Sequence, residues 1–162
     1  MTGRDGDWRQ ATPVGLRRFA QEYLQVATDA LGGYRERLPE VQRHHTHVPF
    51  PIYFNFLHSV ELALKSFLVH TGSDLRELMR IGHDLEAALD LCLQRGIMEH
   101  CEGLTDVFQG TIRHANGQYS QKDFEYIRVG HVELAHIDQV ALAARALVDC
   151  VSAIDMQPVE PA

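Results

Sequence analysis

Four polar residues recur along one apolar stretch of the chain and are the side chains best suited to chemistry. Asn55, His58, Glu61 and Lys65 are three or four positions apart, so on a helix they form one strip. Glu61 precedes Lys65 by four residues, the favourable order for an ion pair. A lysine in apolar surroundings can hold a phosphate or a carboxylate, and a histidine can exchange protons near neutral pH.

The spacing of this strip is compatible with two interpretations. In one, it is a solvated edge with a single surface ion pair, which is a common arrangement. In the other, it lines a polar cleft, where Lys65 either pairs with Glu61 or forms the floor together with His58 and His83. We predict that the Glu61–Lys65 pair is buried, because large apolar residues surround Lys65 along the chain. They are Val60, Leu64, Phe67 and Leu68.

The strip belongs to the best-bounded helix of the sequence, residues 51–72, PIYFNFLHSVELALKSFLVHTG. Pro51 suits a first helical turn, and Gly72 suits a left-handed residue just past the end. The apolar residues between them keep the three-and-four spacing of a buried stripe. This helix is therefore predicted to be central to the fold.

Helical spacing elsewhere predicts an all-α protein, an antiparallel bundle of four to five main helices, because no strand pattern or repeat is present. Thr12 and Pro13 begin the first helix, and the pattern assigns no helix to 118–131. A single domain is predicted over 12–156, with disordered ends at 1–11 and 157–162. The other helices are predicted at 13–31, 73–80, 85–95, 98–114 and 132–154.

Composition limits the classes of partner. The chain has 162 residues, 45% hydrophobic content and a net charge of -7, enough for one packed core and too acidic to coat nucleic acid through bulk positive charge. A local arginine patch could still bind it. No run of about eighteen apolar residues and no signal sequence is visible, so no membrane partner is expected and the cytoplasm is the default location.

The cysteines and histidines predict neither a disulfide framework nor a metal site. Cys92, Cys101 and Cys150 are odd in number and widely spaced, which favours reduced thiols. A histidine cluster lies in a proline-bounded connection without acidic or cysteine partners, so no metal and no cofactor is predicted. The cluster consists of His44, His45 and His47.

Two segments, HSVELALKSFLVHTG and IGHDLEAALDLCLQRGI, together resemble the HEPN superfamily. The motif residues Glu61, Leu62, Leu64 and Lys65 are followed by a second group, Gly82, His83, Asp84 and Leu85. The resemblance implies an antiparallel helical bundle, frequently dimeric, of the kind found in toxin–antitoxin, phage-defence and RNA-processing systems. Independently of it, His83 and Asp84 are interpreted either as a helix cap or as part of the ligand site.

Many HEPN proteins are metal-independent ribonucleases that use an Arg and a His with four to six residues between them on a late helix. Here Arg113 fits the position of the arginine, but no histidine follows at that spacing; Tyr119 lies in the window instead. Similar spacings elsewhere are no more frequent than the roughly two matches expected by chance. They are Arg37/His44, Arg76/His83 and Arg95/His100.

Two functional hypotheses follow. The first is a cytoplasmic homodimeric binding module for a nucleotide, an RNA or a partner protein, which does not cut its ligand. The aromatic residues at 119–126 are expected to be exposed, and they would be buried if two copies of the chain associated. They therefore suggest a homodimer. The second is a divergent ribonuclease in which Arg113 acts with His114 or Tyr119. Arg113 and Arg128 are the candidates for contact with a phosphate or an acidic partner.

Overall fold

The protein is all-α in the part of the chain that the computed structural model describes, residues 11–42, 48–121 and 134–156. Five helices are long, and one, α3, has seven residues. Two short 3₁₀ turns, Glu40–Gln42 and Ile97–Glu99, supplement them. The helices are α1 (Pro13–Glu36), α2 (Phe50–His70), α3 (Leu75–Ile81), α4 (Leu85–Gln94), α5 (Asp106–Ser120) and α6 (Ile137–Ala153). The all-α prediction is confirmed for these residues.

Helix α2 is the centre of the fold, as its apolar density predicts. It contacts α1, α4, α5 and α6, and Leu64 in its middle is fully buried. Gly72, just after the helix, has a φ of 96°, the left-handed conformation predicted for that position. A helix contacted on so many sides must be apolar around most of its circumference, so each polar residue on it needs a partner.

Side-chain contacts fix the helix directions. Ser66 near the end of α2 donates to the carbonyl of Pro13 at the start of α1 (2.7 Å), so these helices are antiparallel. Arg17 near the start of α1 donates to the carbonyl of Ile154 just after α6 (3.0 Å), so α1 and α6 are antiparallel too. The predicted antiparallel arrangement holds for these pairs.

Helices α2 and α4 run in the same direction, which an antiparallel bundle does not predict. Glu61 lies beside His83 at the start of α4, while the Leu68 carbonyl accepts from Arg95 at its end (3.2 Å). The short helix α3 returns the chain between them. Because of this return, His83, two residues before α4, reaches Glu61 in the middle of α2.

Helix starts follow their caps closely. The Thr12 hydroxyl accepts from the amide of Gly15 (3.0 Å), as predicted. Asp84 caps α4 through the amide of Ala87 (3.0 Å), which confirms the capping interpretation for that residue. Helix α3 is capped by Asp74, one residue after the predicted Ser73.

The first helix ends five residues later than predicted. Gly32 and Gly33 do not end α1, which continues to Glu36, where Arg35 is held by Asp138 of α6 (2.7 Å). Tertiary contact here outweighs the weak helix propensity of glycine.

Helix α5 begins and ends later than predicted. Thr105 provides its cap, and residues 98–105 form a turn and a loop. The helix continues through Asn116 and Gly117 to Ser120, because Asn116 and Tyr119 bond to neighbouring helices. Helix α6 starts at Ile137 rather than 132, and of its predicted first turn only 134–136 lie in the described part of the chain.

Phe19 and Val107 keep the spacing of an apolar stripe in the sequence, yet both side chains are exposed. Phe19 on α1 is 55% exposed and Val107 on α5 is 67% exposed. Each helix lies at the periphery of the bundle and buries a stripe narrower than its apolar pattern suggests. Tyr119, expected among exposed aromatics, is instead 3% exposed.

The prediction of three reduced cysteines is wrong. Cys101 and Cys150 form a disulfide with a Cα–Cα distance of 5.5 Å, and Cys92 is a buried free thiol. The pairing arises because α5 and α6 are antiparallel, so the segment before α5 meets the end of α6. A separation of 49 residues hides this proximity in the sequence.

Several predictions fall outside the described residues. These are the disordered ends apart from Ala11, the histidine cluster at 44–47, and Arg128. Among the described residues, no helix combines the length and apolarity needed to cross a membrane.

Replacing Leu64 by Ala should destabilise the protein by roughly 2–5 kcal/mol, because it leaves a cavity in the most enclosed part of the core. Leu142→Ala on α6 is the matched control: Leu142 is 56% exposed and should change the free energy of unfolding by less than about 0.5 kcal/mol. Denaturant unfolding measures both. Equal effects would contradict the assignment of α2 as the core helix.

Candidate functional site

Five side chains from three parts of the chain meet around one carboxylate. We call this group the Glu61 cluster; it comprises His58, Glu61, Lys65, His83 and Tyr119. Helix α2 contributes the first three, at the spacing of one helix face, as predicted. His83 precedes α4, and Tyr119 lies in the last turn of α5.

Glu61 is the centre of the cluster. Its Oε1 accepts from the Lys65 ammonium, and its Oε2 accepts from the Tyr119 hydroxyl. The Nδ1 atoms of His83 and His58 lie 3.1 and 3.4 Å from Oε2. The Glu61 side chain is 4% exposed and that of Lys65 is 16% exposed, so the predicted buried pair is confirmed and the solvated-edge interpretation is wrong.

The surroundings keep Glu61 ionised. Burial by itself raises the pKa of a carboxyl group. Here the hydrogen bond from His58, the charge and hydrogen bond of Lys65 and the hydrogen bond from Tyr119 outweigh burial, so the pKa of Glu61 lies far below its usual range. The cluster therefore contains a fixed negative charge compensated mainly by one ammonium group.

That charge orients both histidines. A carboxylate only accepts hydrogen bonds, so the Nδ1 of His83 carries the proton directed at Glu61. Tyr119 donates its own proton to Glu61, so the Nδ1–H of His58 is shared between the Tyr119 oxygen at 2.9 Å and Oε2 of Glu61 at 3.4 Å. In the neutral form of each ring, Nε2 is then the lone-pair nitrogen, and in the cationic form it becomes a donor.

The two histidines differ in access to solvent. The side chain of His83 is 44% exposed, whereas that of His58 is 21% exposed. Phe54 stacks on His58, with ring centroids 5.4 Å apart, and Tyr23 meets the same ring edge-on at 4.5 Å. Both Phe54 and Tyr23 are half-buried. A partly exposed aromatic group thus adjoins the polar cluster.

Asn116 fixes the start of α4 beside the cluster. Its Oδ1 accepts from the buried amide of Leu85 (2.8 Å), and its Nδ2 donates to Asp84 (3.0 Å). Asp84 and Leu85 follow His83 directly, so these bonds hold the backbone that carries the imidazole. Asp84 acts on the site through this backbone and contacts no member of the Glu61 cluster in the described structure.

The three candidate catalytic residues are not brought together. Arg113 donates to Glu86 (3.0 Å) and to Asp90 (2.5 Å) on α4, and these bonds raise the pKa of its guanidinium further above neutrality. His114 lies in a separate groove of about 390 Å³ between α5 and the start of α6. Only Tyr119 belongs to the Glu61 cluster.

Asn116, Phe54 and Tyr23 were missed as site residues. Asn116 is three positions before Tyr119, a spacing that places both on one face of a helix, but Asn116–Gly117 has the composition of a helix end. Tyr23 keeps the spacing of the apolar stripe of the first helix, and Phe54 lies in the apolar stretch that begins the central helix. Nothing in their spacing distinguishes a ring beside a histidine from a ring in the core.

This arrangement can hold and exchange protons at a protein surface. Glu61 and Lys65 balance each other in charge, and the imidazoles offer Nε2 atoms that accept or donate according to pH. Among the described residues, no group of three or more His, Cys, Asp or Glu is placed to bind a metal.

Comparison with known proteins gives no assignment, since no family model, no curated protein and no solved structure matches this chain.

Replacing Lys65 by Met should cost roughly 3–5 kcal/mol at pH 7, because it leaves the buried Glu61 carboxylate without its cation. In the wild type, the lowered pKa of Glu61 means that its stabilising contribution is complete above about pH 4.5 and is lost as pH falls towards that lowered pKa. In the variant, the uncompensated carboxylate is costly, and acid relieves the cost by protonating Glu61. The deficit should therefore shrink between pH 7 and pH 5.

The matched control is Arg18→Met, which breaks the exposed Arg18–Glu22 pair on α1 and should cost less than about 1 kcal/mol at either pH. Thermal and denaturant unfolding at both pH values measure the difference. A Lys65→Met curve that overlays the wild type at both pH values would refute the buried pair.

Proposed function

We propose that this chain is a HEPN-like helical bundle that binds a nucleotide or an RNA at the Glu61 cluster without cutting it. The observation that carries the proposal is the meeting of the two segments that resemble the superfamily. Glu61 and Lys65 of the first are joined to His83 of the second through the 3.1 Å contact between His83 and Glu61. Two residues 22 positions apart, one from each segment, thus belong to one site.

The chemistry of the rim supports a nucleotide or RNA ligand. Half-buried Phe54 and Tyr23 offer ring surface next to His58, and aromatic rings stack on any nucleobase. His83 offers an exposed Nε2 that donates to a phosphate when the ring is protonated. The net charge of -7 favours one local site over a surface that follows a nucleic-acid backbone.

The surroundings of Arg113 support binding without cleavage. Its guanidinium is occupied by two carboxylates, Glu86 and Asp90, so it is not available to stabilise charge on a reacting phosphate. His114, adjacent in sequence, lies in the other groove. Among the described residues, no contact assembles Arg113, His114 and Tyr119 into the alternative ribonuclease site.

The binding proposal predicts that His83→Ala weakens binding of mononucleotides and a short single-stranded RNA at least tenfold, because it removes the exposed donor of the cluster. His114→Ala is the matched control, since it removes another exposed histidine outside the cluster and should leave affinity unchanged. Isothermal titration calorimetry measures affinity, and gel analysis of the recovered RNA should show it intact.

Absence of saturable binding by either ligand class would overturn the proposal. If His114→Ala lost binding while His83→Ala bound like the wild type, the binding site would lie in the α5–α6 groove instead. Degradation of the RNA by wild type and not by Arg113→Ala would restore the ribonuclease alternative.

The proposal includes a homodimer. Phe19 and Val26 are each 55% exposed and lie seven residues apart, on one face of α1. Exposed apolar side chains on a common face gain from a second copy. Tyr119 is buried and so does not support a dimer, and residues 122–126 of the predicted exposed segment lie outside the described part of the chain. The proposed interface is therefore this face of α1.

Light scattering at micromolar concentration should therefore give twice the chain mass of 18.3 kDa, and Phe19→Glu should give the monomer. Val107→Glu, at a more exposed apolar position on α5, is the control and should remain dimeric. A wild-type monomer would contradict the dimer, and a monomer produced by Val107→Glu alone would place the interface on α5.

A further inference from the structure

The Cys101–Cys150 disulfide closes the open end of a helical hairpin. Helices α5 and α6 are antiparallel neighbours, joined at one end by the chain and at the other by this bond. Cys101 precedes α5, and Cys150 lies in the last turn of α6. The covalent ring therefore contains all of α5.

Helix α5 holds its place weakly through packing alone. Its first five residues, 106–110, contain no buried side chain. Gly110 and Gly117 lie inside the helix, where glycine is the least favourable residue after proline. Between Cys101 and the helix, Leu104 is the fully buried apolar anchor, and in the first five residues of the helix Phe108 packs against the core while only partly buried. The disulfide is thus a principal restraint on the start of α5.

The far half of α5 contributes to the Glu61 cluster and its support. Tyr119 donates to Glu61, and Asn116 fixes the amide of Leu85 at the start of α4. A loosening of α5 that reaches these residues would release the hydroxyl from Glu61 and the backbone that positions His83.

We propose that the Cys101–Cys150 disulfide is a redox-sensitive tether, and that its reduction by a cellular dithiol loosens α5 and disorders the Glu61 cluster. Cytoplasmic disulfides of mesophiles, where they exist, are usually redox-sensing or catalytic, so the cytoplasmic location predicted from the sequence is compatible with this role. The proposal is independent of what the cluster binds.

Reduction of the disulfide proceeds through two thiol–disulfide exchanges. A thiolate of the dithiol attacks Sγ of Cys150, which is partly exposed, while Cys101 is 1% exposed. The S–S bond breaks, and Cys101 leaves as a thiolate that takes up a proton. The second thiol of the reductant then attacks the mixed disulfide and releases Cys150 as a thiol. Two electrons and two protons pass to the protein, and the dithiol becomes a disulfide.

Hydrogen-exchange mass spectrometry with and without dithiothreitol tests the tether. Reduction should accelerate amide exchange in 106–120 at least tenfold, while α2 amides at 60–68 change by less than twofold. The His83 imidazole signals in an NMR spectrum should shift in the same sample. The Leu85 amide bond to Asn116, which holds the backbone beside His83, loosens together with α5.

The double variant Cys101→Ser/Cys150→Ser should exchange like the reduced wild type and should not respond to dithiothreitol. Cys92→Ala retains the disulfide and should respond like the wild type. Alkylation of the unfolded, unreduced chain should modify Cys92 alone. Three modified thiols in that experiment, or exchange in 106–120 that is the same before and after reduction, would overturn the proposal.

Discussion

A charged carboxylate in the middle of the most buried helix is the constraint on which the rest of the structure depends. Glu61 is almost completely enclosed on α2, where an unpaired charge would cost several kcal/mol. The fold must therefore bring partners to it. Lys65 comes from the same helix one turn away, but a carboxylate has more acceptor positions than one ammonium can fill. The remaining bonds come from elsewhere in the chain.

Supplying those bonds explains the arrangement of the helices around α2. The return of the chain through α3 sets α4 parallel to α2, so that His83 reaches Glu61. The extension of α5 past Gly117 brings Tyr119 to the same oxygen. Asn116 joins these two elements by bonding the start of α4. The polar site and the packing of α4 and α5 are consequently one feature, and a change in either helix is transmitted to Glu61.

The same coupling applies to α5, whose first five residues contain no buried side chain. Helix α5 buries few large side chains and contains two glycines, yet it holds the hydroxyl that completes the carboxylate. Two kinds of restraint compensate for its poor packing. Ion pairs from Arg113 to α4 act along its middle, and the disulfide acts before its start. Covalent bonds between cysteines depend on redox state and apolar burial does not, which is why the proposed redox response lies at this helix.

The sequence by itself determined the helical class, the central position of α2 and the local caps at Thr12 and Asp84, because helical periodicity and capping act over a few residues. It also determined that Lys65 is buried with Glu61, since both lie on one apolar helix. Only the tertiary structure decided that His58, His83 and Tyr119 share that carboxylate, that Arg113 is occupied by α4, and that Cys101 meets Cys150. These pairings depend on the relative directions of α2, α4, α5 and α6, which no short-range pattern encodes. The ends of α1 and α5 belong with them, because Asp138 and Glu61, distant in sequence, stabilise the last turns that glycines would otherwise end.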